Sequence, residues 1–223
     1  SDKKPVVVWN MTKRCNLRCI HCYARAENET YRGNELSTDE GKRLIDDLAE
    51  FGVPVILFSG GEPVLRKDLP DLIDYAVKKG LRAVISTNGT LITEEKAKQF
   101  ARYALSYIGI SIDGTGKVND AFRGVDGAYD LAINGVRNAK HAGIKVGLRF
   151  TINKKNYNEI QRIFDIIETE GIQRVCFYHL VYAGRGSQLI NEDISHEESR
   201  KVVDYIMDRT KESFKKGSPI EVL

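Results

Sequence analysis

Six times along this chain a short run of β-branched and apolar residues gives way to a segment whose apolar residues recur at helical spacing. That alternation limits the fold more than any other feature. The runs lie at Val6–Asn10, Val55–Ser59, Ala83–Thr87, Tyr107–Ile112, Lys145–Ile152 and Arg174–Leu180. Ser37, with Glu40 three residues on, forms a capping box for a first helix that carries Leu44, Ile45, Leu48 and Phe51 on one face and stops at Gly52. Asp68 and Pro70 open a second helix with Leu69, Leu72, Ile73 and Ala76 inward, ended by Gly80. Thr93 caps a third with Ala97, Phe100 and Ala101 inward, and Tyr129, Ala132, Ile133 and Val136 mark a fourth that stops at Gly143. A fifth carries Ile160, Ile163, Phe164 and Ile167, and a second capping box, Ser195 with Glu198, opens a sixth with Val202, Ile206 and Met207 on its inner side. Strands that read as continuous apolar runs, each followed by a helix, predict an α/β domain of parallel strands covered by helices. Periodicity leaves two arrangements open, an open sheet and part of a barrel. In both, ligands collect at the carboxyl ends of the strands.

A chain of 223 residues suits one such domain, spanning 1–223, and no linker or low-complexity stretch divides it. Lys and Arg number 34 against 31 Asp and Glu, and a surplus of +3 is too small to argue for a nucleic-acid partner. No apolar run reaches the length of a membrane span, so no membrane partner is expected. The opening Ser1-Asp2-Lys3-Lys4 and the short apolar run after it do not read as a secretory signal. The expected setting is cytoplasmic and reducing, and the four cysteines then serve as thiols.

Three of those cysteines fall within eight residues, in Cys15-Asn16-Leu17-Arg18-Cys19-Ile20-His21-Cys22, directly after the first strand. Structural zinc sites close all four ligand positions, whereas closely spaced cysteines in one loop hold iron–sulfur cubes. A cube on three cysteines leaves one iron for an outside ligand, and a cofactor carrying an amino and a carboxylate group would chelate it. The alternatives are a disulfide-bonded or buried triplet and a zinc loop completed by His21. After the second strand comes Ser59-Gly60-Gly61-Glu62-Pro63, where the glycines let backbone approach a neighbour closely and a carboxylate follows. The cysteine spacing, with an aromatic residue before the last cysteine, and the Gly-Gly-Glu-Pro run together resemble the radical S-adenosylmethionine (SAM) superfamily.

The resemblance covers nearly the whole chain and implies a partial (β/α)6 barrel. It implies an enzyme in which Cys15, Cys19 and Cys22 hold a 4Fe-4S cluster, with His21 among the cofactor-binding residues, and in which S-adenosyl-L-methionine is cleaved reductively to a 5′-deoxyadenosyl radical. Gly60, Gly61 and Glu62 are expected at the cofactor's amino group. Thr87, in the strand-end set Ser86-Thr87-Asn88-Gly89, is expected to line the cofactor cavity. Ser111 and Asp113 are expected against its ribose and methionine parts, and Arg149 at its carboxylate. An external electron donor such as flavodoxin or ferredoxin is implied. Cys176 reads as a buried apolar residue, and His179 as a packed strand histidine.

Within the superfamily, Val8-Trp9-Asn10-Met11-Thr12-Lys13-Arg14-Cys15 and Phe177-Tyr178-His179-Leu180 look most like the tetrapyrrole-modifying enzymes of alternative haem and haem d1 synthesis, the 12,18-didecarboxysiroheme deacetylases above all. Peptide-modifying maturases are the second resemblance. Both groups carry a carboxyl-terminal extension with an auxiliary cluster, and a chain ending at Val222-Leu223 is expected to be the core domain alone. Arg14, Arg18, Arg66, Arg123, Arg149 and Arg185 are the expected partners for the carboxylates of a tetrapyrrole.

Overall fold

The computed structural model describes residues 3–223, so Ser1 and Asp2 of the opening segment lie outside the described residues. Among the described residues there are seven strands: β1 (Val7–Asn10), β2 (Val55–Ser59), β3 (Arg82–Thr87), β4 (Tyr107–Ser111), β5 (Val146–Ile152), β6 (Arg174–His179) and β7 (Glu221–Val222). Each pairs in parallel with its neighbour in chain order, giving one sheet ordered β1 to β7. Six of the strands are those expected, and the two-residue β7, paired to Arg174 and Val175, is an addition.

The helices are α1 (Thr38–Phe51), α2 (Leu69–Lys78), α3 (Glu94–Arg102), α4 (Lys117–Arg123), α5 (Ala128–His141), α6 (Ile160–Glu170) and α7 (His196–Lys215). Both capping boxes form, with Ser37 accepting from the Glu40 amide and Ser195 from the Glu198 amide. Thr93 accepts from Lys96 N as the third cap expected. Asp68 makes no cap bond, because its carboxylate pairs with Arg66 at 2.6 Å. Helix α4 occupies what reads in sequence as a long loop between Gly114 and Gly127. The core lies between the helices and the outer face of the sheet, where Ile56, Phe58, Ile85, Ile108, Ile110, Leu148, Phe150 and Val175 are fully covered. Ile160, Ile163, Phe164 and Ile167 seal α6 onto it, each worth roughly 1.5–3 kcal/mol of burial.

The inner face differs from the continuous apolar run expected. Ser59, Ser86, Ser111 and Thr151 alternate with the core-facing residues and line a cavity of about 480 Å³ at the carboxyl ends of the strands. Below it, a second cavity of about 1090 Å³ is lined from Val6 beside β1 round to Glu221 in β7, so the sheet curls about a lumen without closing. The two cavities share Leu57, Arg149 and Tyr178. Gly109 and Gly147 sit side by side in register at this waist. A side chain at Gly109 would meet Arg149 Nε at 2.4 Å, and one at Gly147 would meet Tyr107 Oη at 2.1 Å. The glycines make room for the Arg149 and Tyr107 side chains in the lumen.

Candidate functional site

The cysteine loop leaves β1 and is tied back at four places. Cys15 N donates to Glu27 O at 2.8 Å and Glu27 N to Lys13 O at 2.7 Å, closing the loop on itself. The turn after β2 meets its first limb, Gly61 N donating to Thr12 O and Glu62 N to Arg14 O, each at 2.7 Å. A Cβ at Gly60 would lie 2.4 Å from Thr12 O, and one at Gly61 2.2 Å from Arg14 O. The close neighbour these glycines admit is therefore the cysteine loop's own backbone. On the far side, Arg18 N donates to Arg123 O and Ile20 N to Phe122 O, both at 2.9 Å, zipping the loop to the end of α4. Finally Arg185, beyond β6, donates from Nε to Cys19 O at 2.8 Å and from Nη1 to Ala26 O at 2.9 Å, while its amide donates to Cys22 O at 2.9 Å.

All three thiols line the 480 Å³ cavity, together with His21, Gly60, Gly61, Thr87, Ser111 and Arg149. Each sulfur has a nitrogen donor: Leu17 N on Cys15 at 3.4 Å, Arg123 Nη1 on Cys19 at 3.6 Å and Ala26 N on Cys22 at 3.4 Å. Burial pushes the Cys15 thiol up to about 12, and burial also raises Cys19, against the pull of Arg123. Metal ligation would displace those protons. Thiols in one loop with N–H donors on sulfur are what an iron–sulfur cluster requires of a protein, so the donor set fits the group. Among the described residues no three or more His, Cys, Asp or Glu converge on a site for a single metal ion. A cube takes its thiolates at separate irons and does not call for such convergence.

Several predicted contacts are placed differently. Glu62 has 0% of its surface exposed: Oε1 accepts from Thr87 Oγ1 at 2.7 Å and Val64 N at 3.0 Å, and Oε2 from Asn88 N at 2.8 Å. Burial raises its pKa against these three donors. Its carboxylate holds the end of β3 to the turn after β2 and does not line the cavity. The Thr87 hydroxyl is committed likewise, donating to Glu62 and accepting from Gly89 N at 3.0 Å. Asp113 is also 0% exposed, with Oδ1 accepting from Thr151 N and Oδ2 facing Arg123 Nη2 at 2.5 Å and His21 Nε2 at 3.2 Å. Burial works to raise its pKa, but Arg123 and His21 outweigh it and hold the carboxyl down at about 2. Asp113 is thus bonded to the two side chains, His21 and Arg123, that stand at the cysteine loop. His21 is tied to Asp113 and leaves Nδ1 without a partner. Ser111 lines the cavity with a hydroxyl free of side-chain bonds within the protein, and Arg149 lines it with a buried Nε without a partner.

The arginines divide in the same way. Arg66 is buried, bonded to Asp68, Met11 O and Leu36 O. Arg123 and Arg185 brace the cysteine loop, and Arg14 pairs with Glu35 at 3.4 Å. Arg123, Arg149 and Arg185 all line the cavity, each with one buried nitrogen left unpartnered (Nε, Nε and Nη2), and Arg18 is exposed. Asn88, in the strand-end set singled out from the sequence, has its Nδ2 2.9 Å from Asn16 Oδ1 and 4.0 Å from Cys15 Sγ, whereas His179, read as a packed strand histidine, is exposed and lines the cavity. Cys176 is buried as expected.

Residues 9–167 match the radical SAM superfamily. Fe-coproporphyrin III synthase of Methanosarcina barkeri is 64% identical over 222 residues, covering 100% of this chain and 55% of the relative. Pre-heme d1 synthase of Dinoroseobacter shibae is 43% identical over 99% of this chain and 54% of its own length. PqqA peptide cyclase of Granulibacter bethesdensis stands further off, 33% identical over 82% of this chain and 48% of the relative. The chain thus spans about half the length of the curated relatives it matches. In fold it is similar to Streptococcus suis SuiB bound to S-adenosylmethionine, with a TM-score of 0.82 at 19% identity over 98% of this chain and 49% of that one. The expected partial barrel, the cysteine-lined cavity at its strand ends and the match over residues 9–167 agree: the chain belongs to the radical SAM superfamily.

Proposed function

We propose that Cys15, Cys19 and Cys22 hold a 4Fe-4S cluster in the upper cavity and that the chain acts on a siroheme-derived tetrapyrrole, removing acetate side chains in haem synthesis. The observation that carries the first part is three thiols lining one cavity, each with its own nitrogen donor. When bound, the cluster and S-adenosylmethionine supply reductive cleavage to a 5′-deoxyadenosyl radical, which abstracts hydrogen from the substrate. The residues of the chain bind, orient and exclude water. The Gly60-Gly61 backbone and the Ser111 hydroxyl give the cofactor polar contacts, and the Arg149 guanidinium, fixed over Gly109, offers a carboxylate a charge-assisted bond. The tetrapyrrole reading is supported by the higher identity to the haem-pathway relatives, 64% and 43% against 33% for the peptide cyclase. The exposed apolar side chains Tyr23, Tyr178 and Val181 at the cavity suit a flat macrocycle.

The test is anaerobic reconstitution of the wild type, Cys19→Ala and Cys176→Ala, followed by measurement of 5′-deoxyadenosine release with a siroheme-derived tetrapyrrole or a peptide. Cluster loss confined to Cys19→Ala and release dependent on the tetrapyrrole are expected. Equal iron loss in both variants overturns the ligand assignment, and release with the peptide alone overturns the substrate.

A further inference from the structure

Helix α4 is short, flanked by glycines, and built against one cysteine. Its last turn accepts the amides on either side of Cys19, Arg18 N at Arg123 O and Ile20 N at Phe122 O. Gly124 takes a left-handed φ of 70°, and a Cβ there would lie 2.8 Å from Arg18 O. The His21 ring packs edge-on against Phe122 at 5.8 Å. Two backbone bonds thereby fix the distance between α4 and Cys19, and the guanidinium of Arg123 extends across it to Cys19 Sγ at 3.6 Å. Arg123 is 6% exposed. Its one carboxylate partner among the described residues is Asp113, itself wholly buried and shared with His21.

We propose that Arg123 sets the reduction potential of the cluster held by Cys19. The inference rests on the reading above that Cys19 is a ligand. One-electron reduction adds a negative charge to the cluster, and an adjacent buried cation that donates to a ligating sulfur favours the reduced form. The electron comes from whatever one-electron reductant is supplied. Arg123 makes that transfer less uphill, and Asp113 tempers the effect by opposing part of its charge. A residue that only braced the loop would alter how well the cluster is retained but would not move its potential in a direction set by charge. The pair makes opposite predictions: neutralising Arg123 lowers the potential, whereas neutralising Asp113, with Arg123 still in place, raises it.

The experiment is a redox titration of the anaerobically reconstituted chain, followed by electron paramagnetic resonance without S-adenosylmethionine, with iron and sulfide content measured for each sample. Arg123→Gln is expected to reduce the equilibrium constant for one-electron reduction about tenfold, ~59 mV to the negative side. Arg123→Lys restores part of this, and Asp113→Asn shifts the opposite way. Should Arg123→Gln not take up cluster, a positive shift in Asp113→Asn supports the proposal and an unmoved potential overturns it. Variants with wild-type iron content and unchanged potential, or shifts of the same sign in Arg123→Gln and Asp113→Asn, overturn it while leaving the ligand assignment standing. A wild type that binds no cluster overturns the ligand assignment, and this inference with it.

Discussion

Arg185→Ala separates loop bracing from substrate binding. The side chain makes two bonds to carbonyls of the cysteine loop, Nε to Cys19 O at 2.8 Å and Nη1 to Ala26 O at 2.9 Å. Hydrogen bonds from a charged donor contribute about 1.5–3 kcal/mol each, an upper limit of about 3–6 kcal/mol for the pair. The site is half-buried, so water replaces part of what is lost, and a net cost of about 2–4 kcal/mol is expected. At 1.4 kcal/mol per factor of ten, the ratio of open to closed loop rises about thirty- to seven-hundredfold. Hydrogen exchange at the amides of the cysteine loop reads this directly, and the rate at which a chelator strips iron from the reconstituted protein reads its consequence. Both should rise at least about tenfold, while exchange in the β3 and β4 core stays unchanged. Arg185→Lys, which keeps the charge but not the fork, should fall between. Unaltered loop exchange and chelator resistance in Arg185→Ala would refute the clamp.

Gly61→Ala places a Cβ 2.2 Å from Arg14 O, a backbone atom with little freedom to move, so a loss of about 1–3 kcal/mol is expected. A urea midpoint and cluster content equal to wild type would count against the close approach described. Glu62→Gln turns one acceptor into a donor facing the Asn88 and Val64 amides or Thr87, which costs about 1–3 kcal/mol. The expected result is a lower denaturation midpoint in the absence of S-adenosylmethionine, and an unchanged midpoint sinks the bracing role. Asp113 is depressed from 3.8 to about 2 in the folded chain, so its contribution to stability is present above its ordinary pKa and lost as pH falls through the folded value. Denaturant midpoints should fall between about pH 4 and pH 2, and Asp113→Asn should flatten that fall. An identical acid limb in both proteins would contradict the assignment.

The frame was legible because each element carries its own signal. Capping boxes at Ser37 and Ser195 and apolar stripes such as Ile160, Ile163, Phe164 and Ile167 act over a few residues. Helix α4 was not, since seven residues between Gly116 and Gly124 give a turn signature, and their helical state is secured by contact with the distant cysteine loop. Strand β7 has two residues and no pattern to read. The polar lumen did leave a trace, for Ser59, Ser86, Ser111 and Thr151 each fall out of phase with the core positions of their strands. Which arginines face a ligand was hidden for a different reason. A charged side chain shows its partner only when the two are near in sequence, as with Arg66 and Asp68, and Arg123 stands 104 residues from Cys19.

The clamp on the cysteine loop also governs the order of events on the ribosome. Each strand pairs with the one made just before it, so the sheet can grow from its first edge as the chain emerges. The loop closes at residue 27, yet its brace from α4 needs residue 123, and the bond to Cys19 O spans 166 residues to Arg185. The thiols are synthesised before the residues that immobilise them. Until those residues emerge they sit on a tethered, open segment, where the entropy of fixing them has not yet been offset by the bonds that hold them.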